Sequence, residues 1–334
     1  MDNPHQQEKT LIGVLTSHDS PERNDSLARL LEKLCLARGG REKLKNFHFL
    51  FTGGTFDRLI IGTQKPAIQP VNEETLDTLT NKCCITRLPY GLEGGVTVLA
   101  YLIVQRQCSI IWAFLNPFST QFLNSENLAL MRLSDLWHVK RLMNTGSVEE
   151  WFEKEAESDI HRNPQSCPPC LVLSGYGKEC MPIPGPKMVY EIKRPQTFDF
   201  PKSFANMTIA LIAHDEMKAR MVEFVIDYEA ELARFQRILT TGTTGREVEE
   251  ATRSLKGKIY RYHSGPKGGD IEIATEILFG ECHIVIFFVD PLHPHPHIED
   301  IRVVFGACMI QDKVRMLTNE MQAREWMERV VKRG

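Results

Sequence analysis

The sequence predicts an α/β protein of two tandem three-layer αβα domains, each with a mainly parallel, Rossmann-like sheet. The chain after Thr208 alternates between short apolar runs and segments with apolar residues at helical spacing, which indicates buried strands and covering helices. Short matches in a fixed order relate the first half of the chain to the second, which indicates an internal repeat. The length of 334 residues suits about two domains of roughly 150 residues each.

The composition is that of an ordinary globular protein. Hydrophobic residues make up 42% and charged residues 25%, and the formal net charge is −3. Such a chain, with no long basic run, does not favour nucleic acid or an anionic membrane. No apolar stretch approaches the ~20 residues of a membrane helix, and the polar N-terminus does not resemble a signal peptide. Nine cysteines at scattered spacings indicate free thiols and a cytoplasmic protein.

The internal repeat consists of five matches in the same order. They pair Leu15–Asp19 with Ile212–Asp215, Thr52–Thr55 with Thr241–Thr244, Tyr90–Gly95 with Ser264–Gly269, Ser109–Pro117 with His283–Pro291, and Glu150–Phe152 with Glu325–Met327. Chance can supply any one of these matches, but an ordered series of five indicates a duplicated domain.

A proline-rich segment separates the two copies. Eight prolines lie between residues 157 and 203, and proline fixes φ and removes a hydrogen-bond donor. We therefore predict domains at 8–155 and 204–334, joined by a linker at 156–203. The linker holds Cys167 and Cys170 in a CxxC pair, with His161 and Cys180 nearby. A zinc site needs four ligands in workable geometry, so we favour an incidental thiol pair over a metal site.

The second copy has the clearest secondary-structure pattern. It predicts strands at 208–213, 238–241, 258–263, 283–289 and 314–317, and helices at 216–235, 246–254, 270–279, 298–310 and 320–331. Ligands of open α/β sheets bind beyond the carboxyl ends of the strands. Polar clusters follow the first four strands, so we expect them to meet in one site.

The first two clusters suit an anion. Lys218 lies one helical turn beyond His214 and can reach a phosphate held there, although an exposed lysine and a capping Asp215 would explain the same residues. The second cluster, Thr241–Gly245, opens a helix whose free N–H groups favour an anion. By itself it could be a turn with a helix cap.

The other two clusters add acid–base groups. Ser264–Asp270 is a small-residue loop that opens a helix, where Asp270 either caps the helix or acts as a base. In the fourth cluster His293, His295 and His297 alternate with prolines. A metal site is possible. We favour one histidine as acid or electrophile, with the others at the surface.

Together the four clusters resemble methylglyoxal synthase. The matching motifs are HDxxK from His214, TGTTG from Thr241, SGPxGGD from Ser264 and DPLxxxPHxxD from Asp290. They lie between Thr208 and Thr318, about one third of the chain. Each motif is weak alone, but the ordered set is specific. The wider superfamily, with the regulatory domain of carbamoyl phosphate synthetase and the cyclohydrolase domain of purine synthesis, shares the fold and an anion-binding cleft.

The resemblance implies a lyase that converts dihydroxyacetone phosphate to methylglyoxal and phosphate, without metal or cofactor. Asp270 would abstract the proton, and His297 and His214 would lie by the substrate oxygens. Asp215 and Asp300 would lie near Asp270 and raise its pKa toward neutrality. The residues implied to hold the phosphate are Lys218, Thr241, Thr243, Thr244, Ser264 and Gly265.

The first copy departs from these motifs, so we predict a catalytically inactive domain with a role in assembly or regulation. Val96 stands at the base position, and valine cannot accept a proton. The other departures are Glu22 for the lysine, Gly54 and Phe56 in the second motif, and Asn116, Leu123 and Glu126 in the fourth.

The resemblance also implies partners. The family enzyme assembles from six single domains, so a homo-oligomer, such as a trimer of two-domain chains, is expected. Inorganic phosphate would be a product and a possible regulator, and Arg329 or Arg333 could complete the cleft. Two alternatives stay open: a non-catalytic regulatory module that binds a phosphosugar or nucleotide, and a lyase acting on another keto-phosphate.

Overall fold

The computed structural model describes residues 9–17, 21–61, 71–116, 123–162, 180–182, 189–192, 203–295, 297–311 and 314–332. The chain divides into two compact units, Met1–Lys193 and Arg194–Gly334. Within the described ranges, no helix is both long and apolar enough to cross a membrane.

The first unit has seven strands and eight helices in its described part. The strands are β1 (Thr10–Thr16), β2 (Phe47–Phe51), β3 (Cys84–Arg87), β4 (Ile110–Phe114), β5 (Lys140–Leu142), β6 (Cys180–Pro182) and β7 (Val189–Ile192). The helices are α1 (Pro21–Leu36), α2 (Gly40–Leu44), α3 (Gly53–Phe56), α4 (Glu73–Asp77), α5 (Gly95–Val104), α6 (Ser125–Leu136), α7 (Thr145–Lys154) and α8 (Ala156–Arg162).

The sheet of the first unit runs in the order β5-β4-β1-β2-β3-β7-β6. All neighbours are parallel except β6, which runs antiparallel to β7. The strands carry near-continuous apolar runs because helices cover both faces of a parallel sheet. The core includes Trp112, whose ring meets Phe49 at 5.5 Å and Trp151 at 6.0 Å between centroids.

The segment predicted as a linker contributes α8, β6 and β7 to the first unit. Pro182 fits this placement because it ends β6, the edge strand of the described sheet, and an edge strand tolerates a missing N–H. Cys167 and Cys170 lie outside the described residues. The linker bounds of 156–203 stay a prediction.

The second unit has five strands and six helices in its described part. The strands are β8 (Thr208–Ala213), β9 (Arg237–Thr240), β10 (Ile259–Arg261), β11 (Ile284–Phe288) and β12 (Arg315–Leu317). The helices are α9 (Lys218–Asp227), α10 (Glu229–Leu232), α11 (Gly242–Ala251), α12 (Gly269–Leu278), α13 (Ile298–Ile310) and α14 (Glu320–Trp326), which continues as a wider turn over Met327–Val331. The sheet order is β10-β9-β8-β11-β12, and every pairing is parallel.

The predicted strands of the second unit are confirmed, while two predicted helices differ. The helix expected at 246–254 already begins at Gly242, because the glycines and threonines of the TGTTG motif form its first turn although they are weak helix formers. The helix expected at 216–235 breaks into α9 and α10 at Tyr228. The Tyr228 ring packs on Phe224, and its hydroxyl donates to Glu328 over 2.9 Å.

The two units share one strand order, as the internal repeat predicts. The order β5-β4-β1-β2-β3 matches β12-β11-β8-β9-β10 strand for strand. The loops before α5 and α12 also match, since Gly94 and Gly268 both have the positive φ that favours glycine, at 97° and 102°. Such a match in strand order and loop backbone fits a duplicated α/β domain.

Candidate active site

The candidate site is a cavity of about 160 Å³ beyond the carboxyl ends of β8, β9 and β11. Candidates from all four motifs reach its wall, as the strand-end rule predicts. They are His214, Asp215, Lys218, Thr241, Thr243, Gly265, Asp270 and His297. Thr244, Ser264 and Asp300 are not among the lining residues.

Asp270 and His297 form the centre of the cavity wall. Asp270 is the second residue of α12 and is only 2% exposed, and a helix start stabilises negative charge. Its Oδ2 lies 3.4 Å from Nε2 of His297. A Cβ atom on Gly265 would lie 2.9 Å from each of these two atoms. A carboxylate and an imidazole therefore converge on one point that only a glycine leaves open.

The loop before Asp270 is shaped by its own backbone. Gly268 turns the chain with φ 102°, and a Cβ on Gly269 would lie 2.0 Å from the His263 carbonyl oxygen. The buried Glu272 carboxylate accepts the His263 backbone N–H over 2.9 Å. The small residues of the SGPxGGD motif are thus needed for close backbone approach.

His214 is a buried, neutral hydrogen-bond donor. Its Nδ1 accepts the backbone N–H of Asp290 over 2.7 Å, so the proton of the neutral ring is on Nε2. Burial, followed by the charge on the neighbouring His295, lowers the pKa of His214 to about 4. Nε2 is buried and finds no hydrogen-bond partner among the described residues. It can donate to an oxygen placed in the cavity.

The histidine-rich segment differs from the expectation for His295. We expected one functional histidine, with the others at the surface, and His293 fits because its side chain is 62% exposed. His295 lines the cavity, as His293 also does. Its ring stacks on His214 with 3.6 Å between centroids. These residues lie in irregular backbone after β11, so strand alternation does not decide which way each ring faces.

Within the described residues, no group of three or more His, Cys, Asp or Glu side chains is arranged to hold a metal ion. His293 and His295 bond to Asp290, and His297 lies beside Asp270. His293 Nδ1 bonds to the Asp290 carboxylate, which raises the pKa of His293. Asp290 itself has a lowered pKa, chiefly because its carboxylate accepts the Leu292 backbone N–H.

Lys218 supplies positive charge to the cavity. Its ammonium forms an ion pair with Asp215 at the start of α9, and its side chain is 15% exposed. This pair lowers the pKa of Asp215, so the Asp215 charge is largely balanced by Lys218.

Asp300 is fully buried in the first turn of α13, which packs against α12. These positions do not establish the roles that the resemblance implies for Asp215 and Asp300 as neighbours of Asp270.

The threonine motif forms the start of α11. Thr241 is extended and directly precedes Gly242, the first helical residue. Thr241 donates its hydroxyl to Thr244 over 3.3 Å, and Thr244 is buried. Thr241 and Thr243 line the cavity at the start of this ten-residue helix, where the Gly242 N–H donates to the His263 carbonyl oxygen over 2.8 Å. A helix start of this kind suits a phosphate oxygen.

The first unit has a different residue at the His214 position. Ser17 N–H donates to Phe114 over 3.1 Å, just as His214 N–H donates to Phe288 over 3.1 Å. Asn116 N–H then donates to Ser17 Oγ over 2.7 Å. The sequence match paired His18, which lies outside the described residues, with His214. That pairing was displaced by one residue: the strands end at the equivalent residues Thr16 and Ala213, and only the first copy has an additional residue, Ser17, before its His-Asp pair.

The matching cavity of the first unit is small, and the described residues that line it include no basic side chain. Its volume is about 40 Å³. Val96 stands where the second unit has Asp270, and its Cγ2 lies 3.7 Å from a Cβ built on Gly91. The lining includes the carboxylate of Glu126, and no basic side chain is among the described residues that form it. Such a cavity does not suit a phosphate.

Comparison with known proteins finds methylglyoxal synthases. No family model matches the chain. It is 42% identical over 128 residues to a methylglyoxal synthase of Geobacillus sp. (strain WCH70), covering 38% of this chain and 87% of that protein. It is also 45% identical over 119 residues to a methylglyoxal synthase of Brucella ovis (strain ATCC 25840 / 63/290 / NCTC 10512). That match covers 36% of this chain and 92% of the Brucella protein. The chain belongs to the methylglyoxal synthase family.

A solved methylglyoxal synthase from Elizabethkingia anophelis NUHP1 is 32% identical, covers 37% of this chain and 79% of its own, and has a TM-score of 0.34. These similarities cover little more than a third of the chain. The two sequence relatives support one domain of the methylglyoxal synthase type, and the four motifs that carry the resemblance all lie in the second unit.

Proposed function

We propose that the second unit is a methylglyoxal synthase that converts dihydroxyacetone phosphate to methylglyoxal and phosphate. The observation that carries the proposal is the convergence of Asp270 Oδ2 and His297 Nε2, 3.4 Å apart, in one cavity. A buried carboxylate beside an imidazole suits proton abstraction next to a carbonyl group. The family relationship supports the same chemistry.

The phosphate end of the substrate would lie against Lys218 and the start of α11. The ammonium of Lys218 and the hydroxyls of Thr241 and Thr243 line that part of the cavity. Charge-assisted hydrogen bonds to a phosphate are stronger than neutral ones. In the free protein Lys218 binds Asp215, so a phosphate would compete with that carboxylate for the ammonium.

Asp270 would take a proton from the hydroxymethyl carbon, and the electron pair of that bond would form the enediolate. Its negative charge would be stabilised by the neutral Nε2–H of His214 and by His297, donors fixed before the reaction. The carbon–oxygen bond to phosphate then breaks, and phosphate leaves with the electron pair. The remaining enol takes up a proton at carbon and becomes methylglyoxal.

The first unit would be an inactive copy. Val96 cannot accept a proton, and the small cavity offers no described basic side chain for a phosphate. The loop before α5 also has contacts of its own, since Tyr90 donates its hydroxyl to Asp57 over 2.6 Å. Arg87 binds the same carboxylate through two nitrogens, at 2.8 and 2.9 Å. We assign this unit a structural or regulatory role.

The full chain, incubated with dihydroxyacetone phosphate, should form methylglyoxal and release phosphate in equal amounts. A colorimetric assay for methylglyoxal and calorimetry with inorganic phosphate separate the alternatives. Phosphate binding without methylglyoxal would favour a regulatory binding module. Product from another keto-phosphate, with none from dihydroxyacetone phosphate, would move the assignment to a lyase of different specificity.

A further inference from the structure

His295 occupies a position that the family motif leaves unspecified. In DPLxxxPHxxD the fixed residues include Asp290 and His297, whereas His295 is one of the variable three. Its ring nevertheless lies 3.6 Å from that of His214, with 36° between the ring planes. Both rings line the cavity. The stacking contact therefore joins a variable residue to one that the resemblance assigns to the substrate oxygens.

The backbone of Asp290 holds both rings. Its N–H donates to Nδ1 of His214 over 2.7 Å. Its carbonyl oxygen accepts from Nε2 of His295 over 3.1 Å. Phe287 contacts His214 edge-on, with 5.0 Å between centroids and 79° between planes. Rotation of His214 would break one hydrogen bond and two ring contacts, so its orientation is fixed.

We propose that His295 is a positioning residue for His214, which it holds in the neutral form with the proton on Nε2, directed to a substrate oxygen. The identity of that oxygen rests on the proposed function. The stacking role itself does not rest on the proposed function, because it depends only on contacts within the protein.

Two physical effects support this role. A ring stacked on His214 excludes water from one of its faces, and lost hydration disfavours the charged imidazolium. A proton on His295 would also repel a proton on His214, while Asp290 and Asp215, the acidic groups facing His214, pull the other way. The net result of these opposing effects is a lowered pKa of His214. A neutral imidazole is a suitable donor to a developing enediolate.

Two variants separate the stack from the hydrogen bond. His295→Phe keeps a ring over His214 but cannot donate to the Asp290 carbonyl, whereas His295→Gln keeps a donor without a ring. Nitrogen NMR on the full chain with labelled histidine would report the tautomer and the pKa of His214. We expect His295→Gln to raise that pKa by about one unit. We expect His295→Phe to leave it low, with the proton on Nε2.

The matched control is His293→Gln. His293 bonds to the Asp290 carboxylate, and its loss should leave the His214 signals unchanged. Unchanged His214 signals in His295→Gln, or an equal change in His295→Gln and His295→Phe, would overturn the proposal.

Kinetics give an independent readout. If the proposed function holds, kcat should fall about tenfold in His295→Gln and less than about threefold in His295→Phe. KM should change little in either variant, since His295 acts through His214 and not on the phosphate. Equal kcat values in the two variants would contradict the positioning role. If the wild type makes no methylglyoxal, the proposed function fails, and the NMR result still decides the role of His295.

Discussion

Gly265 is closely packed against the side chains of the cavity, and Gly91 of the first unit supplies a matched control for it. A Cβ on Gly265 would lie 2.9 Å from Asp270 Oδ2 and from His297 Nε2, whereas one on Gly91 would lie 3.7 Å from Val96 Cγ2. Gly265→Ala should therefore displace both reacting groups and lower kcat/KM by about 100-fold or more. Gly91→Ala should leave activity within about twofold. Steady-state kinetics would check both, and equal losses would contradict this account.

Lys218 tests the phosphate end of the site. Lys218→Met removes the cation but keeps most of the side chain length. We expect KM to rise about 10- to 100-fold, because a hydrogen bond to a charged group contributes about 1.5–3 kcal/mol. We expect kcat to fall less than KM rises. Inorganic phosphate should also inhibit the variant more weakly than the wild type. A variant with unchanged KM and unchanged phosphate inhibition would remove Lys218 from the site.

At the residue scale, the sequence predicts which side chains share a cavity better than it predicts their hydrogen bonds. The strand-end rule brings Asp270 and His297 to one cavity because it depends only on the sheet topology. The role of His295 could not be predicted in this way. Its partner is the backbone carbonyl of Asp290, and no residue pattern marks a backbone contact in irregular structure.

At the element scale, α7 and α14 are equivalent helices with equivalent caps. Asn144 accepts the N–H of Ser147 over 2.9 Å, and Asn319 accepts the N–H of Gln322 over 2.9 Å. Asn319→Ala should lower the free energy of unfolding of the second unit by about 1 kcal/mol. Asn319→Asp should keep most of the wild-type free energy of unfolding. Urea unfolding followed by the nitrogen NMR signals of His214 and His283, which both lie in the second unit, would measure both, and no loss in the alanine variant would contradict the capping role.

Element boundaries were predicted well where the chain is apolar and poorly where small residues form a helix. Strand β8 and helix α13 match their predicted bounds. Helix α11 does not, because the TGTTG motif combines low helix propensity with a capping position at Thr241. Tertiary contacts decide such a boundary: a Cβ on Gly245 would lie 2.1 Å from Thr240 Oγ1, so only glycine fits that turn.

At the scale of the whole molecule, buried histidines make stability depend on pH. Burial lowers the pKa of His48 to about 3, and those of His214 and His283 to about 4. These groups are neutral when folded but take up protons below about pH 6.5 when unfolded. The free energy of unfolding should therefore fall as pH drops from about 6.5 to 4, by up to about 1.4 kcal/mol per pH unit for each histidine.

The effect should be steeper in the second unit, which holds two of these three histidines, than in the first. Urea unfolding at pH 7, 6 and 5 would measure it. His283→Gln, which removes one of the two groups, should flatten the slope for the second unit only. A free energy of unfolding that does not change over this range would contradict the burial of these histidines.

The sequence predicts a duplication, which the shared strand order fits, but it does not predict the register. The matches around Gly95 and Gly269 are correct at the level of single residues because the loops before α5 and α12 have the same backbone. The match after the first strand was displaced because the first copy has one residue more, Ser17, between the strand end and its His-Asp pair. Strand register, which only the hydrogen bonds of the sheet define, assigns Ser17 to the His214 position.

The most direct test of one active site per chain is the rate of methylglyoxal formation by the wild type and by Asp270→Asn. Asparagine keeps the size and polarity of Asp270 but cannot accept the proton. We predict methylglyoxal from the wild type and a loss of at least about 1,000-fold in kcat for Asp270→Asn, with phosphate affinity unchanged within about threefold. A variant that still turns over dihydroxyacetone phosphate at the wild-type rate would contradict the assignment of Asp270 as the base.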